Sequence, residues 1–151
     1  RYVPPTTPQG AWDVTCLLVQ PTSDIVATDF DGDGKLEILT FSKFHGDTLA
    51  IWHEGQTRDR YEQVWCDPQK RSFLHALWAA DLNGEKCAVI GNRKDGRDLL
   101  LVRYVDGEYT VDVIDHDLGP ANCMVYRHDG SDYIVAAYRE TDQLALYKVV
   151  E

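Results

Sequence analysis

The sequence predicts an all-β protein built from short, repeated strands. Three observations carry this. The apolar runs are about five to seven residues long, rich in Val, Ile, Leu and Tyr, and bounded by Gly or Asp. No window sustains the 3.6-residue apolar period of an amphipathic helix. One layout of strands and turns recurs three times along the chain.

The first copy runs Ile25-Val-Ala-Thr-Asp-Phe-Asp-Gly-Asp-Gly, then Leu36-Glu-Ile-Leu-Thr-Phe, then Thr48-Leu-Ala-Ile-Trp-His-Glu-Gly. The second runs His75-Ala-Leu-Trp-Ala-Ala-Asp-Leu-Asn-Gly, then Cys87-Ala-Val-Ile-Gly, then Leu99-Leu-Leu-Val-Arg-Tyr. The third runs Asn122-Cys-Met-Val-Tyr-Arg-His-Asp-Gly, then Tyr133-Ile-Val-Ala-Ala-Tyr, then Leu144-Ala-Leu-Tyr-Lys-Val. Asp29, Asp81 and Arg127 occupy equivalent places, 52 and 46 residues apart. A period of that size suits four short strands per unit, the size of a β-propeller blade. Fourth strands are expected near Tyr61–Trp65 and Tyr109–Ile114.

The expected organisation is a single propeller segment over 1–151. Residues 11–20 form an N-terminal strand that closes a blade, and 24–67 form the first blade. Residues 74–117 form the second blade, and 121–151 an incomplete third. About three four-stranded blades are too few to close a ring. The expected partners are therefore missing blades from the same longer chain or a homodimer partner, with Trp12–Val19 completing the third blade. Unclosed end blades would leave sheet edges and an apolar face exposed. The chain opens at Arg1 without Met or a signal-peptide pattern, which reads as a fragment or a processed chain.

Composition narrows the partners. Hydrophobic residues make up 44% and charged residues 26%, enough to build a core. The net charge of −10 argues against nucleic acid and anionic membrane, both of which need a basic face. The acidity serves solubility or, where carboxylates cluster, cation binding. No apolar run approaches the roughly 18 residues that cross a membrane. Cys16, Cys66, Cys87 and Cys123 lie far apart without a C-x-x-C pair, which argues against zinc. They read as free thiols of a reducing compartment, and their even number leaves disulfides open.

The sharpest motif is Asp29-Phe-Asp-Gly-Asp-Gly-Lys-Leu-Glu37. Carboxylates at alternate positions of a tight turn aim several oxygens at one point, and Gly32 and Gly34 permit the left-handed angles that turn needs. Such convergence calls for a hard cation, and Ca²⁺ tolerates the irregular geometry better than Mg²⁺. The expected ligands are the side chains of Asp29, Asp31, Asp33 and Glu37 and the carbonyl of Lys35. An EF-hand is excluded: it needs a bidentate Glu at the twelfth position and flanking helices, whereas Thr40 stands there between strand-like flanks. The remaining alternative is an Asp/Gly-rich turn without metal. The second copy shortens to Asp81-Leu-Asn-Gly-Glu-Lys86, and the third replaces the first Asp by Arg127. Neither is expected to hold a cation.

The calcium loop followed by Leu36-Glu-Ile-Leu, repeated in weakened form, resembles the FG-GAP/VCBS repeat of integrin α-like β-propellers. The resemblance covers nearly the whole chain and implies a propeller with bound calcium. That family includes integrin α-subunit propellers, fungal lectins and polysaccharide lyases, so fold does not choose among activities. It implies a secreted or cell-surface protein, against the cytoplasm if the thiols are free. A narrower likeness joins His75-Ala-Leu-Trp-Ala-Ala-Asp-Leu and Gly91-Asn-Arg93 to propellers related to aldos-2-ulose dehydratase. The calcium loop of that repeat is degenerate here, and no cupin domain accompanies it.

Three functions follow as expectations. The first is a calcium-stabilised module that binds a carbohydrate or protein ligand at one rim. The second is part of a propeller lyase or dehydratase with His75 as base. The third is a purely architectural domain. His75 starts a first strand, where it is a candidate base or an idle rim residue. Trp78 reads as inter-blade core or as a sugar platform. Arg93 and Arg139 follow the second strands of their repeats, for pairing with a neighbouring blade's acid or for ligand binding. His45 is expected to be exposed. His53, His116 and His128 show no metal-triad spacing. Trp12, Trp52 and Trp65 are expected to pack between blades. No G-x-S-x-G, H-E-x-x-H, P-loop or dinucleotide fingerprint occurs.

Overall fold

A computed structural model describes residues 1–43 and 45–150. The described residues are all-β, with thirteen strands and no helix. The N-terminal strands β1 (Tyr2–Val3) and β2 (Asp13–Val14) form a small hairpin. The first large sheet is antiparallel, in the order β3 (Asp24–Thr28), β4 (Glu37–Ser42), β5 (Thr48–Glu54), β6 (Tyr61–Cys66). The second repeats this with β7 (Leu74–Leu82), β8 (Glu85–Asn92), β9 (Leu99–Val105) and β10 (Glu108–Asp115). The third has β11 (Pro120–His128), β12 (Ser131–Tyr138) and β13 (Gln143–Lys148).

Local chemistry explains the hairpins. Asn83-Gly84, Asp106-Gly107 and Asp129-Gly130 each place two successive residues at positive φ. This is the two-residue turn whose twist matches that of antiparallel strands. The first sheet departs from it: between β3 and β4 stands the loop from Asp29 to Leu36.

The sheets stack face to face because the middle one is apolar on both faces. Ala88 and Ile90 of β8, with Leu100 and Val102 of β9, pack against Leu39, Phe41, Leu49 and Ile51 of the first sheet. The alternate residues Cys87, Val89 and Leu99 pack against Cys123, Ile134, Ala136 and Tyr138 of the third. Successive strand residues point to opposite faces, so one strand serves two cores. Apart from minor contacts, the sheets approach one another at β3, β7, β8 and β11, near their first strands. Polar ties add to this packing. Arg71, itself 7% exposed, reaches Asp67 at 2.8 Å and Asp98 at 3.8 Å. The Tyr147 hydroxyl donates to Asp115 at 2.6 Å, linking third sheet to second.

The N-terminal segment differs from expectation. Of Trp12–Val19, only Asp13 and Val14 are strand, and their partners are Val3 and Tyr2 rather than the third sheet. The segment from Cys16 to Gln20 lies by Trp52, Arg60 and Tyr61 of the first sheet. There the Gln20 amide donates to Ser42 at 3.3 Å. This cover suits the buried Ile38, Thr40 and Ser42, which point away from the second sheet. The apolar run is satisfied by lying across a sheet face, so it needs no ladder partner.

The tryptophans divide. Trp65 packs against the core between the first two sheets. Trp52 donates its indole N–H to the Thr40 hydroxyl at 2.9 Å, on the far face of the first sheet. Trp12, at 58% exposed, packs in no core, because its strand lies outside the sheet stack. All four cysteines are free; Cys16 and Cys66 are exposed, and Cys87 and Cys123 are buried. Burial pushes both buried thiols up to about 12, which keeps them protonated and inert.

Candidate functional site

The site is built by the loop between β3 and β4. Gly32 and Gly34 sit at φ of 76° and 86°, and this backbone curls the loop on itself. The carboxylate of Asp29 accepts from the amides of Gly32 at 2.8 Å and Gly34 at 3.0 Å. Asp31 accepts from the amide of Asp33 at 3.0 Å, and Asp33 from that of Lys35 at 2.8 Å. Each acid thus keeps an oxygen for its own loop, and the turn is fixed before any ligand arrives.

Ligand atoms of Asp31, Asp33, Glu37 and His53 come within 4.8 Å of one another. Asp29 is outside that group, with both oxygens committed to loop amides. Sequence spacing missed His53, which lies twenty residues from Asp33. The β4–β5 ladder brings it in: Ile38 pairs with Trp52, which sets Glu37 and His53 next in register. The signal lay in the third strand, whose antiparallel return must end beside the start of the second.

Glu37 is the unusual member. Its side chain is fully buried, and its Oε2 accepts from the Phe30 amide at 2.6 Å. Its Oε1 is buried without a hydrogen-bond partner. Burial pushes its carboxyl above the ordinary range, and the charge of Asp31 pushes the same way, against the Phe30 hydrogen bond. Asp33 is exposed, and chiefly the Lys35 amide holds its carboxyl lower.

His53 completes the geometry. Its Nδ1 lies 2.8 Å from the Glu54 carbonyl, an acceptor only, so Nδ1 carries the proton. Nε2 then faces Asp33 at 3.1 Å and Glu37 Oε1 at 3.6 Å. Burial disfavours the imidazolium, yet the Glu54 carbonyl and the two carboxylates together outweigh burial and raise its pKa. A backbone hydrogen bond that fixes the tautomer and frees the other nitrogen is also how metal-ligating histidines are held.

These residues fit a divalent cation. An orphaned buried carboxylate oxygen costs about 1–3 kcal/mol, more for a charged group, and a cation would satisfy it. Three carboxylates suit Ca²⁺. The imidazole nitrogen adds a donor that suits transition metals. The equivalent turns carry their own cations: Lys86 bonds Asp81 at 2.6 Å, and Arg127 lies 3.8 Å from Asp132.

A groove of about 590 Å³ opens beside this cluster, at the mouth between the first two sheets. Its lining combines Asp31, Asp33 and His53 with the aromatic Trp65, Tyr104 and Tyr109. The aromatic rings brace one another. Tyr109 lies 4.9 Å from Tyr104 and 5.9 Å from Trp65, centroid to centroid, and 6.1 Å from Phe30.

The other candidates fall elsewhere. His75 is half-buried, its Nδ1 bonded to the Ala121 carbonyl at 2.9 Å. Its ring stacks on His45 at 5.1 Å, and His45 stacks on Phe73 at 4.5 Å, so His45 is half-buried rather than exposed. Arg93 pairs with Glu140 beyond β12 at 2.6 Å and lies 5.1 Å over Phe73. Arg139 is exposed. Trp78 is 41% exposed and leaves the core for a groove of about 260 Å³ with Met124, Val135 and Leu144. No protein-family model matches the chain, and no curated protein matches it.

Proposed function

We propose that this chain is a set of β-propeller blades of FG-GAP/VCBS type, whose first loop holds a calcium ion and which binds a carbohydrate or protein ligand at one rim. The single observation that carries the metal reading is Glu37 Oε1, buried without a hydrogen-bond partner and grouped with Asp33, Asp31 and His53. Asp31, Asp33 and Glu37 hold the ion, the Lys35 carbonyl adds an oxygen, and Asp29 fixes the loop around it. The cation neutralises the converging carboxylates and ties the β3–β4 loop to the start of β4.

Face-to-face stacking with closest approach at the first strands supports the blade reading. So does the outer face of the third sheet, where Met124, Leu144 and Leu146 are 42%, 76% and 59% exposed. An apolar sheet face of that kind asks for a further blade, from the same longer chain or a second copy. The lyase or dehydratase alternative, with His75 as base, rests on resemblance alone.

Calorimetric titration of calcium into chelator-stripped protein tests the reading. One saturable site per chain is expected in the wild type and none in Asp31→Ala. A wild type that takes up no calcium would overturn it.

A further inference from the structure

The groove beside the acidic loop offers two kinds of contact in one concavity. Its volume of about 590 Å³ lies within the roughly 300–1,000 Å³ of small-molecule sites. One wall ends at Asp31 and Asp33, whose side of the cluster opens to solvent, while Glu37 closes the buried side. The lining is also aromatic, with Trp65 and Tyr109 anchored in the core behind them. Gly107 of the β9–β10 turn and the exposed Glu108 at the start of β10 complete it.

We propose that this groove binds a neutral, polyhydroxylated ligand, a pyranose sugar with adjacent hydroxyls, in a metal-dependent way. The proposal rests on the cation reading given above. Calcium accepts six to eight oxygen ligands, more than these side chains and one carbonyl supply, so positions remain for water or ligand hydroxyls. Adjacent hydroxyls on a rigid ring displace two waters at once and lose little freedom in doing so. The apolar C–H face of a pyranose then lies against the aromatic wall, where large rigid rings give contact area at low entropic cost. Charge selects the class. Asp31, Asp33 and Glu108 line the groove on a chain of net charge −10, so an anionic sugar is repelled where a neutral one is not. Glu37 Oε1, fully buried without a hydrogen-bond partner and within 4.8 Å of the ligand atoms of Asp31, Asp33 and His53, is the observation beyond mere clustering of acids that points to an ion here.

The test has two stages. Calorimetry first measures calcium uptake. Saturation-transfer NMR then screens the methyl glycosides of glucose, galactose, mannose and fucose against calcium-loaded protein, with glucuronate as the anionic comparison. Signal from at least one neutral glycoside is expected, lost with chelator and weak for glucuronate. Glu108→Trp, at an exposed lining position outside the metal cluster, adds bulk to the groove without changing the proposed ligands. It is expected to weaken the glycoside at least tenfold while calcium uptake stays unchanged. Asp31→Asn is expected to lose both. Calcium uptake with no glycoside signal overturns the sugar proposal and leaves the metal reading standing. So does a signal that survives chelator or Glu108→Trp. Failure of calcium uptake overturns both.

Discussion

Glu37 Oε1 and His53 Nε2 face each other at 3.6 Å from adjacent strands, the first fully buried and the second fixed by the Glu54 carbonyl. His53 Nε2 also meets Asp33 at 3.1 Å, whereas Glu37 Oε1 has no hydrogen bond. A cation seated here would satisfy that buried oxygen.

Calcium is expected to stabilise the wild type by mass action, by roughly 2.7 kcal/mol when free calcium is a hundred times its dissociation constant, and so to raise its melting midpoint. Glu37→Gln keeps an acceptor for the Phe30 amide and removes the buried charge. In chelator its midpoint is expected to exceed that of the wild type, because burial acts against the ionised carboxyl. With calcium the order should reverse. Parallel thermal melts followed by circular dichroism check both signs.

His53→Ala separates the two kinds of donor. Calcium draws mainly on oxygen and manganese accepts imidazole more readily. The substitution is expected to weaken manganese binding at least tenfold and calcium binding by less. Paired titrations read the ratio. Equal losses would show that His53 shapes the loop instead of contacting the ion.

Glu140→Gln tests the tie between the second and third sheets. The hydrogen bond from Arg93 is the main cause holding the Glu140 carboxyl below its usual 4.5. A depressed folded-state pKa adds stability that is present above the unfolded value and lost as pH falls through the folded one. The variant is expected to be less stable near neutrality by about 0.5–1 kcal/mol, the scale of a partly exposed pair. The difference should fade below pH 4.5. Urea melts at several pH values check this, and a pH-independent difference would remove the carboxylate from the explanation.

Two changes probe the ends of the stack. Deleting residues 1–20 uncovers Ser42 and Trp52 on the first sheet. Aggregation is expected, beyond simple loss of stability. Paired substitution of Leu144 and Leu146 by Asp changes exposed positions, so the stability of the isolated chain should change by less than about 0.5 kcal/mol. Self-association should fall. Analytical ultracentrifugation of the three proteins decides; a wild type that stays monomeric at micromolar concentration would show that the third sheet needs no cover.

The all-β class and the four-stranded sheets were legible because short Val-, Ile-, Leu- and Tyr-rich runs bounded by Gly or Asp are local signals. They sit in adjacent residues and survive without knowledge of the partner sheet. The acidic loop was legible for the same reason, since Asp31, Asp33 and Glu37 lie within one turn of chain. His53 was not. Its distance from Asp33 depends on the register of β4 against β5, and register is a property of two strands together. The aromatic wall was further from reach. Trp65 comes from the first sheet, and Tyr104 and Tyr109 from the second. Their meeting depends on face-to-face packing of apolar surfaces, which is non-directional and leaves no mark at any one position. Trp12–Val19 shows the same limit in reverse. An apolar run states that a segment must be covered, and the nearest uncovered sheet settled where.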